Sequence, residues 1–363
     1  MNFYPGPSKV YPQVMHYAQE AFASGILSLN HRSSTFMHLY ESTTNALRQH
    51  LQIPANYWIA FVSSATECWE IVPQSWVQKK SLHIYNGSFG EKWAQNAQKI
   101  LAYKGKEIEK NVFEANEILT YQKLADSIQV SKPDTICFID NETSNGTMLS
   151  NEMMPALQKN FPEILFCTDA TSSLAGRNLP IAHFDVVFAS VQKCFGLPSG
   201  LGVLIYSPKA LERAIEIDDK QHYNNVLSLH ENAQKQQTTH TPNILGIYLL
   251  EKILQELPSI EKQSTLLQQR AKEYYTFFSH LGYTKPLIHT PEVRSDTVIV
   301  IEQSPNIVQK CKQEASKKGI ILGNGYGKWK ENTLRIANFP AIDQEEIQQL
   351  KDFFLFFSIF AEK

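Results

Sequence analysis

The chain has 363 residues, 43% of them hydrophobic and 19% charged, with a formal net charge of -2 and a pI near 6.6. That length can bury one large core or two unequal ones. The charge balance argues against a nucleic-acid binder or an acidic tail, and the lysine pairs at 79–80 and 317–318 read as solvated helix faces.

The opening MNFYPGPSKVYP lacks the charged start and apolar run of a signal peptide. No stretch approaches the roughly 18 apolar residues of a membrane helix. The cysteines at 68, 137, 167, 194 and 311 form no CxxC pair, which suits a reducing, cytoplasmic setting. Cys137 and Cys167 fall in strand-like runs and read as small buried hydrophobes. The histidines lie singly, without ligand spacing, so no metal site is expected. There is no internal repeat and no low-complexity segment.

In chain order, 58–62 (WIAFV) reads as a strand followed by a helix to about 77. Residues 82–85 (LHIY) precede a helix from about 89 to 103. Four further apolar runs, at 135–139, 164–168, 185–189 and 202–206, complete the pattern. Continuous apolar strands separated by helices predict an α/β fold with a mostly parallel sheet covered on both faces. After Pro258 the texture changes. A long helix over 260–280 leads to a strand at 297–301, a helix near 305–318, a short strand at 334–336 and a closing helix from about 343. These predict a smaller α+β domain. The expected division is a large domain over 15–258 and a small one over 259–363 together with 1–14.

Ligands of open α/β sheets gather beyond the carboxyl ends of the strands. The residues there are Ser63–Thr66, Asn86–Phe89, Asn141–Thr143, Asp169 and Ser190–Lys193. Hydroxyls, an aromatic, an acid and a lysine together suit a phosphorylated cofactor. A surface lysine normally snorkels into water. Lys193 instead follows a buried strand, where desolvation favours the neutral amine that a Schiff base or proton shuttle requires. Asp169 ends another strand. It suits a helix cap or, paired with the lysine, a partner for a protonated pyridine nitrogen. Ser64, Ala65 and Thr66 open a helix whose backbone N–H groups suit a phosphate or a plain cap. Phe89 suits either the core or a stack on a heteroaromatic ring.

In this order the motifs resemble the class V aminotransferases, which are fold-type I pyridoxal-phosphate enzymes. The resemblance runs from Asn2 to the last helix and lies nearest the phosphoserine aminotransferase branch, with alanine–glyoxylate and serine–glyoxylate aminotransferases as relatives. Asn-Phe-Tyr-Pro-Gly-Pro-Ser (2–8), Asn-His-Arg-Ser (30–33), Ser-Ser-Ala-Thr (63–66), Asn-Glu-Thr (141–143), Gln-Lys (192–193), His-Thr-Pro-Asn (240–243) and Leu-Arg-Ile-Ala (334–337) carry it.

The resemblance implies that Lys193 carries pyridoxal 5'-phosphate and moves the substrate proton. It implies that Asp169 pairs with the pyridinium nitrogen, Thr143 bonds the phenolic oxygen and Phe89 stacks on the ring. Ser64, Ala65, Thr66 and Gln192 would hold the phosphate, with His240 and Thr241 supplied by a second subunit. That makes the expected protein a homodimer with shared active sites, acting on an amino acid and a 2-oxo acid. Arg335 would bind the α-carboxylate, and His31 and Arg32 the substrate side chain. Three features depart from the pattern, the first being Ser63-Ser64 in place of the doubled glycine of the phosphate seat. The His-Arg pair that usually precedes the carboxylate-binding arginine is replaced by Gly-Asn-Gly-Tyr-Gly-Lys-Trp-Lys (323–330), where Lys328 and Lys330 are candidate substitutes. His240 stands where the family has asparagine.

The leading expectation is therefore phosphoserine:2-oxoglutarate transamination in serine biosynthesis. The alternatives are another class V aminotransferase of the alanine or serine–glyoxylate type, a cysteine desulfurase-like lyase using an exposed cysteine, and a non-catalytic nucleotide binder. No GxGxxG follows the first strand and no GxxxxGK[ST] occurs.

Overall fold

A computed structural model describes residues 1–361. Seven strands form the main sheet. From edge to edge they are Trp58–Val62, Gly202–Tyr206, Val186–Ser190, Leu165–Asp169, Thr135–Ile139, Lys80–Tyr85 and Glu107–Val112. All neighbours are parallel except at Gly202–Tyr206, which runs antiparallel to the strands on both sides of it. Val186–Ser190 and Leu165–Asp169 are buried along their whole length. This is why they read as unbroken apolar runs rather than as alternation.

Glu107–Val112 was not expected from the sequence. Its EIEKNV is mostly exposed and pairs only with Lys80–Tyr85, so it carries the charges of a protected sheet edge and not the apolar signature of a central strand.

Helices cover both faces. Ala65–Ser75 and Ser88–Tyr103 follow the first two strands. On the opposite face, helices Ser34–Leu51 and Ile244–Glu256 pack against each other. A second sheet orders Asn2–Phe3, Ile321–Asn324, Thr333–Ala337, Val298–Glu302 and Lys285–Pro286. Asn2 and Phe3 pair in parallel with Ile321 and Leu322, so the chain's first residues are built into the sheet of its last hundred. The helices Ile260–His280, Pro305–Lys317 and Gln344–Ala361 accompany this sheet. Ile321–Asn324 and Lys285–Pro286 also escaped the sequence reading, because four and two residues are too short to display a period.

Candidate active site

Five carboxyl-end segments of the main sheet, the N-terminal segment and one strand of the second sheet enclose a cavity of about 220 Å³. Its lining includes Gly6, Ala65, Thr66, Phe89, Thr143, Asp169, Gln192, Lys193, Tyr326 and Arg335. A larger cavity of about 710 Å³ shares only Ile139 with it and holds no lysine.

Lys193 leaves the buried strand Val186–Ser190 in a turn whose carbonyl is bonded by the Gly196 amide at 2.9 Å. The Ser8 amide bonds Gln192 O at 3.1 Å and draws the N-terminal segment across the same turn. At Gly6 the backbone has φ of 145°, and a Cβ there would stand 2.9 Å from Lys193 Cε, so a glycine suits the place where the two segments meet. Lys193 is 7% exposed, and its Nζ donates to Thr143 Oγ1 at 2.8 Å. Burial lowers its pKa to about 8; Asp169 opposes that shift and Arg335 adds to it. The amine is therefore mostly neutral at mildly alkaline pH.

Thr143 is held in turn. Its hydroxyl donates to Ser172 Oγ at 3.0 Å, and Ser172 donates to Asn141 O at 2.6 Å. Asp169 is the last residue of its strand, not the first beyond it. Its Oδ2 accepts from Trp69 Nε1 at 2.8 Å and its Oδ1 from the Thr171 amide at 2.9 Å. Burial pushes its carboxyl upward, against these hydrogen bonds and the Lys193 charge. Trp69 lies one turn beyond Ala65 on the same helix, and that i,i+4 relation is the signal the sequence offers for it.

At the start of helix Ala65–Ser75, Ser64 caps by accepting from the Glu67 amide at 3.2 Å. The Ala65 amide, expected to face a phosphate, donates instead to Ser190 Oγ at 2.7 Å. Thr66 lines the cavity and neither of these caps engages it. In the next helix, Ser88–Tyr103, Phe89 is the second residue. The buried Glu142 carboxylate accepts from the amides of Phe89 at 3.2 Å and Gly90 at 3.1 Å. A carboxylate at a helix N-terminus satisfies donors that the helix cannot. Glu142 thus fixes the position of Phe89, a role the Asn-Glu-Thr motif did not disclose.

The Phe89 ring stacks on Tyr326, centroids 5.1 Å apart and planes 21° apart, while Lys193 Nζ lies 5.3 Å from its centroid. Arg335 is 4% exposed on strand Thr333–Ala337. Its Nε donates to Asn324 O at 2.6 Å and its Nη1 to Thr143 O at 3.1 Å, which ties the second sheet to the Lys193 turn.

Five expected site residues do not line this cavity. Ser64 is engaged in its helix cap, and His31, Arg32, His240 and Thr241 lie outside the lining. Arg32 Nη1 donates to Gln237 Oε1 at 2.7 Å. Burial, then the Arg32 and His240 charges, lower the His31 pKa. The lysines of the atypical loop stay outside too. Lys328 Nζ lies 4.7 Å over the Trp329 ring, and Lys330 is 74% exposed beside Glu331. Tyr326 is the residue of that loop that enters. The sequence signal was an aromatic framed by glycines just before Arg335. All five cysteines are buried, and burial raises Cys311 to about 12, which speaks against an exposed sulfur nucleophile.

The family model for class V aminotransferases matches residues 1–325. The chain belongs to the class V aminotransferase family. It is a transaminase with the fold of the type I enzymes. A phosphoserine aminotransferase of Rhodococcus opacus (strain B4) is 29% identical over 357 residues, covering 95% of this chain and 91% of its own length. The crystal structure of a phosphoserine aminotransferase from Cytophaga hutchinsonii is 32% identical with a TM-score of 0.88, over 97% of this chain and 98% of that one. An alanine–glyoxylate aminotransferase from Nostoc sp. shares the fold, with a TM-score of 0.83 at 18% identity over 97% and 93% of the two chains.

Proposed function

We propose that this class V transaminase uses pyridoxal 5'-phosphate to exchange an amino group between 3-phosphoserine and 2-oxoglutarate, as a cytoplasmic homodimer with shared active sites. One observation carries the reading: a buried amine of pKa about 8, a buried carboxylate, a threonine hydroxyl and a guanidinium meet in one cavity. The likeness to phosphoserine aminotransferases along nearly the whole chain supports the substrate.

The residues fit that cofactor. Lys193 would carry it on Nζ, Asp169 would hold its ring nitrogen protonated, Thr143 would bond its phenolic oxygen and Phe89 would cover its ring. Ser64, Thr66 and Gln192 would hold its phosphate, with His240 and Thr241 of the partner subunit; Ala65 would contribute less, since its amide is spent on Ser190. The cofactor supplies an electron sink for the negative charge left when the substrate Cα loses its proton. Lys193 Nζ takes and returns that proton, because a neutral amine near pH 8 is matched to the task. Arg335 holds the α-carboxylate through Nη2, the nitrogen that neither Asn324 nor Thr143 engages. Residues 15–258 would form the cofactor-binding domain, and 259–363 with 1–14 the small domain.

The dimer has its own support. On helix Gln13–Ser24, Met15 is 72% and Phe22 71% exposed, seven residues apart on one face, while Val14 and Ala21 face inward. An apolar face on the helix that leads toward the His31–Arg32 loop suits a second copy, whose cavity His31 and Arg32 would complete. The five unpaired cysteines suit a reducing compartment.

Purified protein given O-phospho-L-serine and 2-oxoglutarate should make glutamate and should be yellow. Equal activity with serine or alanine would count against the substrate. Colourless protein that ignores added cofactor would sink the reading. A second reading, an alanine or serine–glyoxylate enzyme, is favoured by the absence of Lys328 and Lys330 from the cavity.

A further inference from the structure

The loop 323–330 brings an uncharged phenol to the cavity where relatives are expected to bring a cation. We propose that Tyr326 is a specificity-determining residue whose hydroxyl donates a hydrogen bond to the phosphoryl group of the substrate, an inference that rests on the phosphoserine reading above.

Three observations carry it. The ring is fixed on two sides: Phe89 stacks on it, and the Arg335 guanidinium lies 5.2 Å from its centroid. The backbone that presents it is pinned. Asn324 O accepts from Arg335 Nε at 2.6 Å, the Trp329 amide bonds Tyr326 O at 3.1 Å, and Thr333 Oγ1 donates to Trp329 O at 2.6 Å. Third, Lys92 Nζ donates to Tyr326 Oη and lies 4.8 Å from the ring centroid.

The donor arithmetic then decides what the hydroxyl can do. An ammonium has donors and no acceptor. In the Lys92–Tyr326 pair the phenolic oxygen must accept, so its own hydrogen is free. The adjacent positive charge polarises that O–H and strengthens it as a donor toward an anion. Arg335 addresses one end of an amino-acid substrate. Tyr326, packed beside it, is placed to address the other. A phosphoryl group offers acceptors there that a serine or alanine side chain does not. Selectivity drawn from within one chain would therefore come from a polarised phenol and not from a guanidinium.

The test is Tyr326→Phe, which keeps the stacked ring and removes only the hydroxyl. Single-turnover absorbance changes would be recorded with O-phospho-L-serine and with L-alanine. The expected result is about a tenfold or greater rise in the concentration of O-phospho-L-serine needed for half-saturation. The limiting rate, the cofactor spectrum and the response to L-alanine should stay near wild type. Lys92→Met should produce a smaller rise of the same kind. Equal losses with both amino acids, or no change with either, would overturn the assignment. Wild-type protein that consumes L-alanine but not O-phospho-L-serine would overturn the substrate reading itself, and this proposal with it. Wild-type protein that consumes O-phospho-L-serine indistinguishably from Tyr326→Phe would overturn the hydroxyl assignment alone.

Discussion

Two clusters of polar residues stand out, and they are built in opposite ways. Around Lys193 the groups are buried, Phe89 partly so, and each is held: Thr143 by Ser172, Asp169 by Trp69 and Thr171, Phe89 by Glu142, Arg335 by Asn324. Around His31 and Arg32 the groups are exposed or half-buried, and a glutamine is the partner Arg32 finds. The first cluster is preorganised within one chain and suits chemistry, where small displacements are costly. The second presents the Arg32 guanidinium with no carboxylate bonded to it among the described residues, and suits a site completed by association. In the proposed dimer the same chain would contribute a finished half and an unfinished half.

The sharpest way to break that contrast is to remove the centre of the finished half. Lys193→Ala should lower transamination by about 10²- to 10⁴-fold, the usual worth of a positioned proton-transfer group. It should also abolish borohydride-stable attachment of the cofactor, read by mass spectrometry. Retained attachment would show that the chemistry is centred elsewhere.

The unfinished half predicts a smaller and more selective loss. Arg32→Glu should raise the half-saturating concentration of O-phospho-L-serine by about 10- to 100-fold, since a charge-assisted bond is replaced by repulsion. L-alanine turnover and thermal melting should hardly move. If both substrates suffer alike, Arg32 acts on the fold and the proposed division between the clusters fails.

A titration sharpens the comparison from the other side. The Lys193 amine has its pKa lowered from 10.5 to about 8 by burial. A lysine must be neutral to attack a carbonyl. The rate at which cofactor-free protein takes up pyridoxal phosphate should therefore rise about tenfold per pH unit up to pH 8 and then level off. The sign extends to stability. Between pH 8 and 10.5 the unfolded chain binds the proton that the folded chain has released, so this group makes cofactor-free protein more stable as pH rises through that window. Lys193→Met should remove that part of the slope in denaturant titrations.

How much of this was legible in the sequence follows the same division. Lys193, Asp169, Thr143 and Phe89 could be found because they lie at or just beyond the ends of buried strands, whose apolar runs mark the sheet. The partners that hold them could not. Trp69, Ser172 and Glu142 come from a helix face, a turn and a motif of no evident role, and only the fold brings them within hydrogen-bond reach. Tyr326 carries no charge, so charge does not mark it where the family pattern has a cation. His31, Arg32, His240 and Thr241 were found by motif, but no pattern of spacing says that they lie outside the Lys193 cavity. Motif order carries the identity of residues, and topology decides which of them meet.

The smallest expected effect compares one substitution in the two regions. Gly6 and Gly25 both have positive φ, 145° and 74°. Gly25 ends the helix before the His31–Arg32 loop, and a Cβ there would meet nothing within 4 Å. Gly25→Ala should cost only the left-handed backbone strain, about 1 kcal/mol in urea unfolding, and leave cofactor uptake unchanged. At Gly6 the conformation is one that only glycine populates readily, and the new methyl would stand 2.9 Å from Lys193 Cε. The backbone strain alone should cost about 1–3 kcal/mol. The contact adds a functional loss where it is relieved by displacing Lys193, whose Nζ bonds Thr143. Slower cofactor uptake in Gly6→Ala but not in Gly25→Ala would show that the N-terminal segment positions the lysine. Equal behaviour of the two variants would mean that the segment merely covers the site.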